Sequence, residues 1–182
     1  MRHLLEGLRR RRIAPAVEED LPVDALRQPI DLLVFTESET FTLAEVRAPI
    51  GRISDWLNSA EEIRGHKLPD PSPAGGTWIS LDRSECLIVV PPIAATDPKL
   101  RLHRSRQRVA LRLGPIAVSG AAHTPAGTEA TGFLRRHAKA FIPLTDVSIS
   151  SPTDASITAE VAIVHLAMAD RFEPVSGTEI RR

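Results

Sequence analysis

The chain contains two stretches with the same order of local patterns, and this internal repeat limits the possible folds more than any other feature. Strand-forming residues end at a Pro-x-Gly stop within residues 41–51 and again within residues 117–127. An aromatic–leucine pair follows each stop, Trp56–Leu57 and then Phe133–Leu134, and residues 79–90 afterwards parallel residues 157–168. Two matches predict a pair of related domains rather than a solenoid. Each copy, of roughly 60 residues, would be marginal alone, so we expect the two to pack on each other.

Within each copy, alternating apolar and polar residues predict short strands, and apolar residues at helical spacing predict one short helix after the second strand. In the first copy the expected strands are 31–36, 40–46, 77–81 and 86–90, with a helix at 52–59. In the second copy they are 109–113, 116–123, 141–149 and one or two within 156–168, with a helix at 129–137. The fold class is therefore mainly β.

Proline-rich and charged segments separate these patterns. They suggest a leader or linker at 1–30, the first copy at 31–92, a linker at 93–107, the second copy at 108–172 and a flexible tail at 173–182.

The segment 52–58 reads R-I-S-D-W-L-N and resembles the signature of a bacterial Sm-like family of unknown function. That family shows two strands, a Pro-x-Gly stop, R-x-S-D-x-L-N on a short helix, and F-x-P-L-T-D opening the next strand. The first copy matches the first part of the signature with Pro49, Gly51, Arg52, Ser54, Asp55, Leu57 and Asn58. The second copy matches the later part with Phe141, Pro143, Thr145 and Asp146. The resemblance implies two small Sm-like or SH3-like β-barrels in tandem, each with one inserted helix.

Physical chemistry gives this motif a structural meaning. Ser54 or Asp55 can cap backbone N–H groups at the start of the helix, and Trp56 and Leu57 can bury the helix against the barrel mouth. Asp146 can accept hydrogen bonds from turn or loop amides. We interpret these residues as serving fold stability rather than binding.

Charge and aromatic content bear on nucleic-acid binding. Lys plus Arg and Asp plus Glu both number 23, so the chain has no overall field that would attract a polyanion. The predicted linker and its border nevertheless carry Arg101, Arg104, Arg106 and Arg108, which could contact phosphates. Tyrosine is absent, and the two tryptophans and five phenylalanines fall mostly on predicted core faces, whereas single-stranded RNA readers need exposed stacking platforms.

Residues that could carry chemistry form no recognisable site. Cys86 is the single cysteine and precedes an apolar run, so it is expected to be a buried strand residue. His66 and His103 are expected in solvated loops, and His165 in the core or an interface. The histidine spacing matches no metal motif and the glycines match no phosphate loop, so we expect neither metal nor cofactor. Because no apolar run approaches the roughly 20 residues of a membrane span and no signal peptide is evident, a cytoplasmic location is expected.

The sequence therefore favours a non-catalytic interaction or scaffold module. It would bind protein partners through strand edges or through the groove between the two copies. The alternatives are RNA binding through the basic linker and an unrecognised enzyme. The oligomeric state stays open.

Overall fold

The computed structural model describes residues 27–49, 51–68, 77–92, 105–152 and 155–175. They form one antiparallel sheet of ten strands with two short helices. The first half contains β1 (Arg27–Phe35), β2 (Thr40–Pro49), α1 (Ile53–Ser59), β3 (Glu62–Leu68), β4 (Thr77–Asp82) and β5 (Ile88–Val90). The second half contains β6 (Ser105–Leu113), β7 (Ile116–Thr124), α2 (Ala130–Arg136), β8 (Phe141–Ser150), β9 (Ile157–His165) and β10 (Arg171–Pro174). A single 3₁₀ turn, Arg83–Glu85 or Leu166–Met168, precedes the last strand of each half.

The two halves have the same strand order. Across the sheet the order is β10-β6-β7-β8-β9-β5-β1-β2-β3-β4, so the fifth strand of each half pairs with the first strand of that half and the fourth strand lies at the other side. The halves meet where β5 of the first half pairs with β9 of the second, through Ile88↔Val164 and Val89↔Ile163. The last strand of one half thus extends the sheet of the other.

The core consists of two clusters, and each contains residues from both halves. Phe141 and Ile163, from the second half, pack in the cluster formed mainly by the first half. Phe35, Leu87 and Ile88, from the first half, pack in the cluster formed mainly by the second. The two halves therefore pack on each other and bury apolar surface that neither half would cover by itself.

A β-bulge changes the alternation predicted for β2. The sequence places Phe41, Leu43 and Glu45 on one face, but Glu45 has a positive φ of 56° and the register with β1 shifts beside it. The bulge rotates the strand by one position, so Leu43 and Val46 are both buried while Glu45 is exposed. The Asp31 carboxylate accepts a hydrogen bond from the Glu45 amide at 3.1 Å, which holds the bulge in place.

The mainly β prediction is confirmed, but several predicted boundaries are wrong. β1 begins at Arg27, inside the segment 1–30 expected to be a leader, and β6 begins at Ser105, inside the expected linker 93–107. β10 extends to Pro174, into the expected tail. β3 was not predicted, and His66 lies on it rather than in a loop. Within the described ranges the strands form one open sheet with two edges, not two closed barrels.

Candidate interaction surfaces

Asn58, near the end of α1, connects the two halves. Its Nδ2 donates to the Phe141 carbonyl oxygen at 3.0 Å, and its Oδ1 accepts from the Phe141 amide at 2.7 Å. Arg83 donates to the Asn58 carbonyl oxygen at 2.8 Å, and its guanidinium lies 6.0 Å from the centre of the Phe141 ring. The two sequence segments that carry the motif resemblance are therefore in direct contact, one from each half.

The predicted helix cap at Ser54 or Asp55 is wrong. The N-cap residue is Arg52, whose side chain makes no capping hydrogen bond, and both Ser54 and Asp55 lie inside the first turn of α1. Ser54 is buried there, while Asp55 places negative charge at the helix start, which is a stabilising position. In the second half, Glu129 caps α2 by accepting from two backbone amides.

The other residues of the first motif segment shape the helix and its approach. β2 ends at Pro49, and Gly51 has a φ of +137°, a conformation that favours glycine. Leu57 is fully buried and Trp56 packs partly buried against the first-half core. Both side chains hold α1 on the sheet.

The second motif segment runs along β8. Pro143 is exposed, and the Thr145 hydroxyl lies 2.9 Å from Nε2 of His123. Asp146 has a positive φ of 47° at a bulge and forms an ion pair with Arg106 on β6. The expectation that Asp146 bonds turn amides is therefore wrong, because its carboxylate is directed towards a cation.

His165 and Cys86 lie at the junction of the halves. The Leu87 carbonyl accepts from the His165 amide at 2.9 Å, and the His165 Nδ1 lies 3.2 Å from the Cys86 carbonyl oxygen. The His165 ring stacks on Phe141 with 4.2 Å between ring centres. Burial lowers the pKa of His165 despite its bond to Cys86, and burial raises the pKa of the Cys86 thiol to about 12. The neutral imidazole and the protonated thiol act as packing groups here.

The two edges of the sheet are β4 and β10, each with a strand neighbour on one side only among the described residues. The Arg83 amide donates to Glu61 within the first half and the Val175 amide donates to Arg108 on β6. Since successive amides of a strand point to opposite sides, the amides of Ser80 and Phe172 are directed outward from the sheet.

Both large hydrophobic side chains that are exposed in the described part of the chain lie at these edges. Trp78, on β4, is 54% exposed, and Val175, directly after β10, is 40% exposed. Trp78 also makes an edge-to-face contact with His66 at 4.8 Å. The expectation that the aromatic residues fall mostly on core faces therefore fails for Trp78. In T-W-I-S-L-D, Ile79 and Leu81 share the face of the sheet that packs on the core, so the alternation of the strand places Trp78 on the opposite, solvent-facing side.

A groove of about 500 Å³ lies between the two halves. Leu33, Val90, Pro91 and Pro92 form one wall, and the beginning of β9, residues 157–161, forms the other. β5 ends at Val90, so it does not pair with this part of β9. The groove is mostly apolar, and Asp146 and Glu160 are the charged residues that line it.

The four arginines considered for nucleic-acid contact are not all in one described segment. Arg106 and Arg108 are exposed on the same face of β6, where the Asp146 carboxylate neutralises Arg106. Arg101 and Arg104, like His103, lie outside the described residues.

Neither described helix has the length and apolar character needed to cross a membrane. Within the described ranges, no three His, Cys, Asp or Glu side chains come together as metal ligands would. Comparison with protein-family models, with curated proteins and with solved structures found no match to this chain.

Proposed function

We propose that this chain is a non-catalytic interaction module that binds protein partners through the two edges of its sheet. One observation carries the proposal: the exposed large hydrophobic side chains of the described residues lie at β4 and β10, the two strands with an unpaired side. Soluble proteins usually protect such edges, because an open row of N–H and C=O groups pairs readily with another strand.

Binding would use the backbone and side chains together. An incoming extended segment would pair with outward groups such as the amide of Ser80 or of Phe172, and main-chain hydrogen bonds would supply much of the affinity. Trp78 would add apolar contact at the β4 edge, since tryptophan is enriched where interfaces are strongest.

The groove between the halves is a second proposed docking position. Its apolar wall of Leu33, Val90, Pro91 and Pro92 faces residues 157–161 of β9. This stretch pairs with β8 on one side, and β5 does not reach it on the other. A short extended segment could therefore pair with β9 there and bury its side chains against that wall.

We also propose that the two halves are diverged copies of one Sm-like unit. Their equal order of strands, helix and 3₁₀ turn supports this, as do the Pro-x-Gly stops at Pro49 and Pro125. A cytoplasmic location is proposed with it, which suits a chain whose single cysteine is a buried thiol.

The test is recovery of partners from the native cells with tagged protein, comparing the unaltered chain with Ser80→Pro. Proline removes the outward amide, and edge strands tolerate it. Ser80→Ala is the matched control, because it loses the same hydroxyl but keeps the amide. A stoichiometric protein retained by the unaltered chain and by Ser80→Ala, but lost from Ser80→Pro, supports edge binding. Equal recovery with all three chains contradicts it for β4, and Phe172→Pro then examines β10 in the same way.

RNA binding is the second candidate, favoured by the exposed positions of Arg106 and Arg108 on one face of β6. The triple change of Arg104, Arg106 and Arg108 to Ala would then remove RNA that raised salt also releases. If RNA copurifies with the chain and the triple variant loses it while protein partners stay bound, this candidate replaces edge binding as the main function. An unrecognised enzymatic activity remains the third proposal, and no residue pair in the described structure singles out a reaction for it.

A further inference from the structure

The junction between the halves shows which two strands of this fold can pair to join one half to another. There the fifth strand of one half pairs with the fourth strand of the other half. The two strands at the edges of the sheet are also a fourth and a fifth strand: β4 is the fourth strand of the first half, and β10 is the fifth strand of the second. One chain therefore presents at its two edges the two complementary elements that it joins internally.

We propose that these edges pair with each other between molecules, so that β10 of one chain extends the sheet at β4 of the next. This inference rests on the proposed function and names a second copy of the chain as a partner. The contact is head-to-tail, and such contacts close into a ring or continue as a filament according to the rotation between neighbours.

The equivalent positions define the register of the pairing. His165 and Asp82 both directly precede the 3₁₀ turn of their half, so Leu81 occupies the position of Val164, and Ser80 that of Ile163. Ile88 and Arg171 are the first residues of the two fifth strands. The internal register then predicts that Arg171 lies opposite Leu81 and Phe172 opposite Ser80 in the next chain.

Backbone directions fit this register. In the junction the His165 amide donates across the boundary of the halves to the carbonyl of Leu87, directly before β5. By alternation the amides of Ser80 and Phe172 are directed outward. They could therefore exchange hydrogen bonds as a directly opposed pair. Pro174 does not conflict with this, because β5 is followed at the equivalent position by Pro91 and still forms the internal junction.

The equivalence also predicts one pair of oppositely charged side chains near the edges. Asn58 is the sixth residue of α1, and Arg135 is the sixth residue of α2. In the internal junction Asn58 binds the backbone of Phe141, and Phe141 pairs with His165 between β8 and β9. Asp82 is the equivalent of His165, and Glu62 pairs with Asp82 between β3 and β4. Glu62 is therefore the equivalent of Phe141. The equivalence therefore brings the exposed Arg135 of one chain to the exposed Glu62 of the next. Glu62 also binds Ser80 and Arg64 within its own chain, so the new contact would join an existing charge network.

This polar composition predicts reversible association that weakens with salt. Rim charges are screened at raised ionic strength, and they set register and partner choice more than affinity. Trp78 and Val175 would become covered along the new seam, which would account for their exposure in the single chain.

The experiment is sedimentation of the purified full chain over a wide concentration range, at low and at raised salt. The proposal expects the mass to rise above the 19.9 kDa of one chain at low salt and to fall back when salt is added. Ser80→Pro should lower the association constant about tenfold or more, because it removes one backbone hydrogen bond. Ser80→Ala keeps that bond and should leave the constant unchanged. A chain that stays monomeric at every concentration, or equal weakening by both variants, overturns the proposal.

A charge exchange tests the register without altering the backbone. Arg135→Glu and Glu62→Arg should each weaken association, and an equimolar mixture of the two variants, as well as the double variant, should recover it. Additive weakening in the double variant overturns the predicted contact. A monomeric chain whose partners from cells are still lost on Ser80→Pro would refute self-association alone and leave edge binding intact.

Discussion

The junction inside the molecule and its two outer edges use equivalent strands but different side chains. At the junction the opposed positions are aliphatic on both sides, with Ile88 and Val89 facing Val164 and Ile163. At the edges the equivalent positions hold Arg171, Phe172, Leu81 and Ser80. The junction is buried and its polar groups are satisfied within the chain, whereas the edges are open and partly charged. The comparison shows how one backbone pairing can be permanent in one place and open to exchange in another.

The largest expected difference between the two regions concerns Phe141 and its equivalent Glu62. Phe141 is 1% exposed and lies in the core of the opposite half. Phe141→Ala should lower the free energy of unfolding by about 3–5 kcal/mol, measured by urea denaturation. Glu62→Ala, the matched change at an exposed edge, should leave the denaturation midpoint nearly unchanged. Equal effects would mean that the junction and the edge do not differ as described.

A smaller difference is expected between Asn58 and Arg135, the equivalent residues of the two helices. Asn58→Ala leaves the Phe141 amide and carbonyl without their side-chain partner and should cost about 1–3 kcal/mol. Arg135→Ala removes an exposed side chain and should change stability little. Chemical denaturation of both variants at one low protein concentration gives the comparison. A stable Asn58→Ala would show that the β5–β9 pairing and the shared core hold the halves together without this side-chain bond.

The smallest effect is a pH dependence at the junction. Burial holds the pKa of His165 below its ordinary value near 6.5, so the unfolded chain takes up the proton more readily than the folded chain. His165 therefore leaves stability unaffected above about pH 6.5 and reduces it as the pH falls through and below that value. Thermal midpoints measured between about pH 8 and pH 5 should fall less steeply in His165→Gln than in the unaltered chain. Parallel curves would show that the His165 environment does not oppose protonation.

Much of the fold could be predicted because most strands have local signals. The alternation in 40–46 and 116–123, the Gly114–Pro115 turn and the Pro-x-Gly stops all coincide with observed elements. β3 escaped prediction because E-I-R-G-H-K-L contains one strongly buried aliphatic residue, Ile63, and a glycine that approaches β2 closely. β10 escaped because it has only four residues, three of them exposed. Their strand conformation depends on pairing with a neighbour that local sequence does not reveal.

The interaction surfaces were less predictable than the fold. The sequence suggested strand edges in general, but which strands lie at the edges follows from the pairing of β5 with β9, a contact between distant segments. The bulges at Glu45 and Asp146 likewise depend on tertiary context, because both require a positive φ, which is uncommon in residues other than glycine. The pairing of Arg106 with Asp146 could not be read from a segment predicted to be a linker.

The exchange of core residues between the halves has a consequence for synthesis. The first half leaves the ribosome before Phe141 and Ile163 are translated, so its core stays incomplete until these later residues have been synthesised. Nascent chains with incomplete cores expose apolar surface and strand edges. The slow stage of biogenesis should therefore be the arrival of β8 and β9, and a pause in translation before that point would expose the first half to chaperones and proteases.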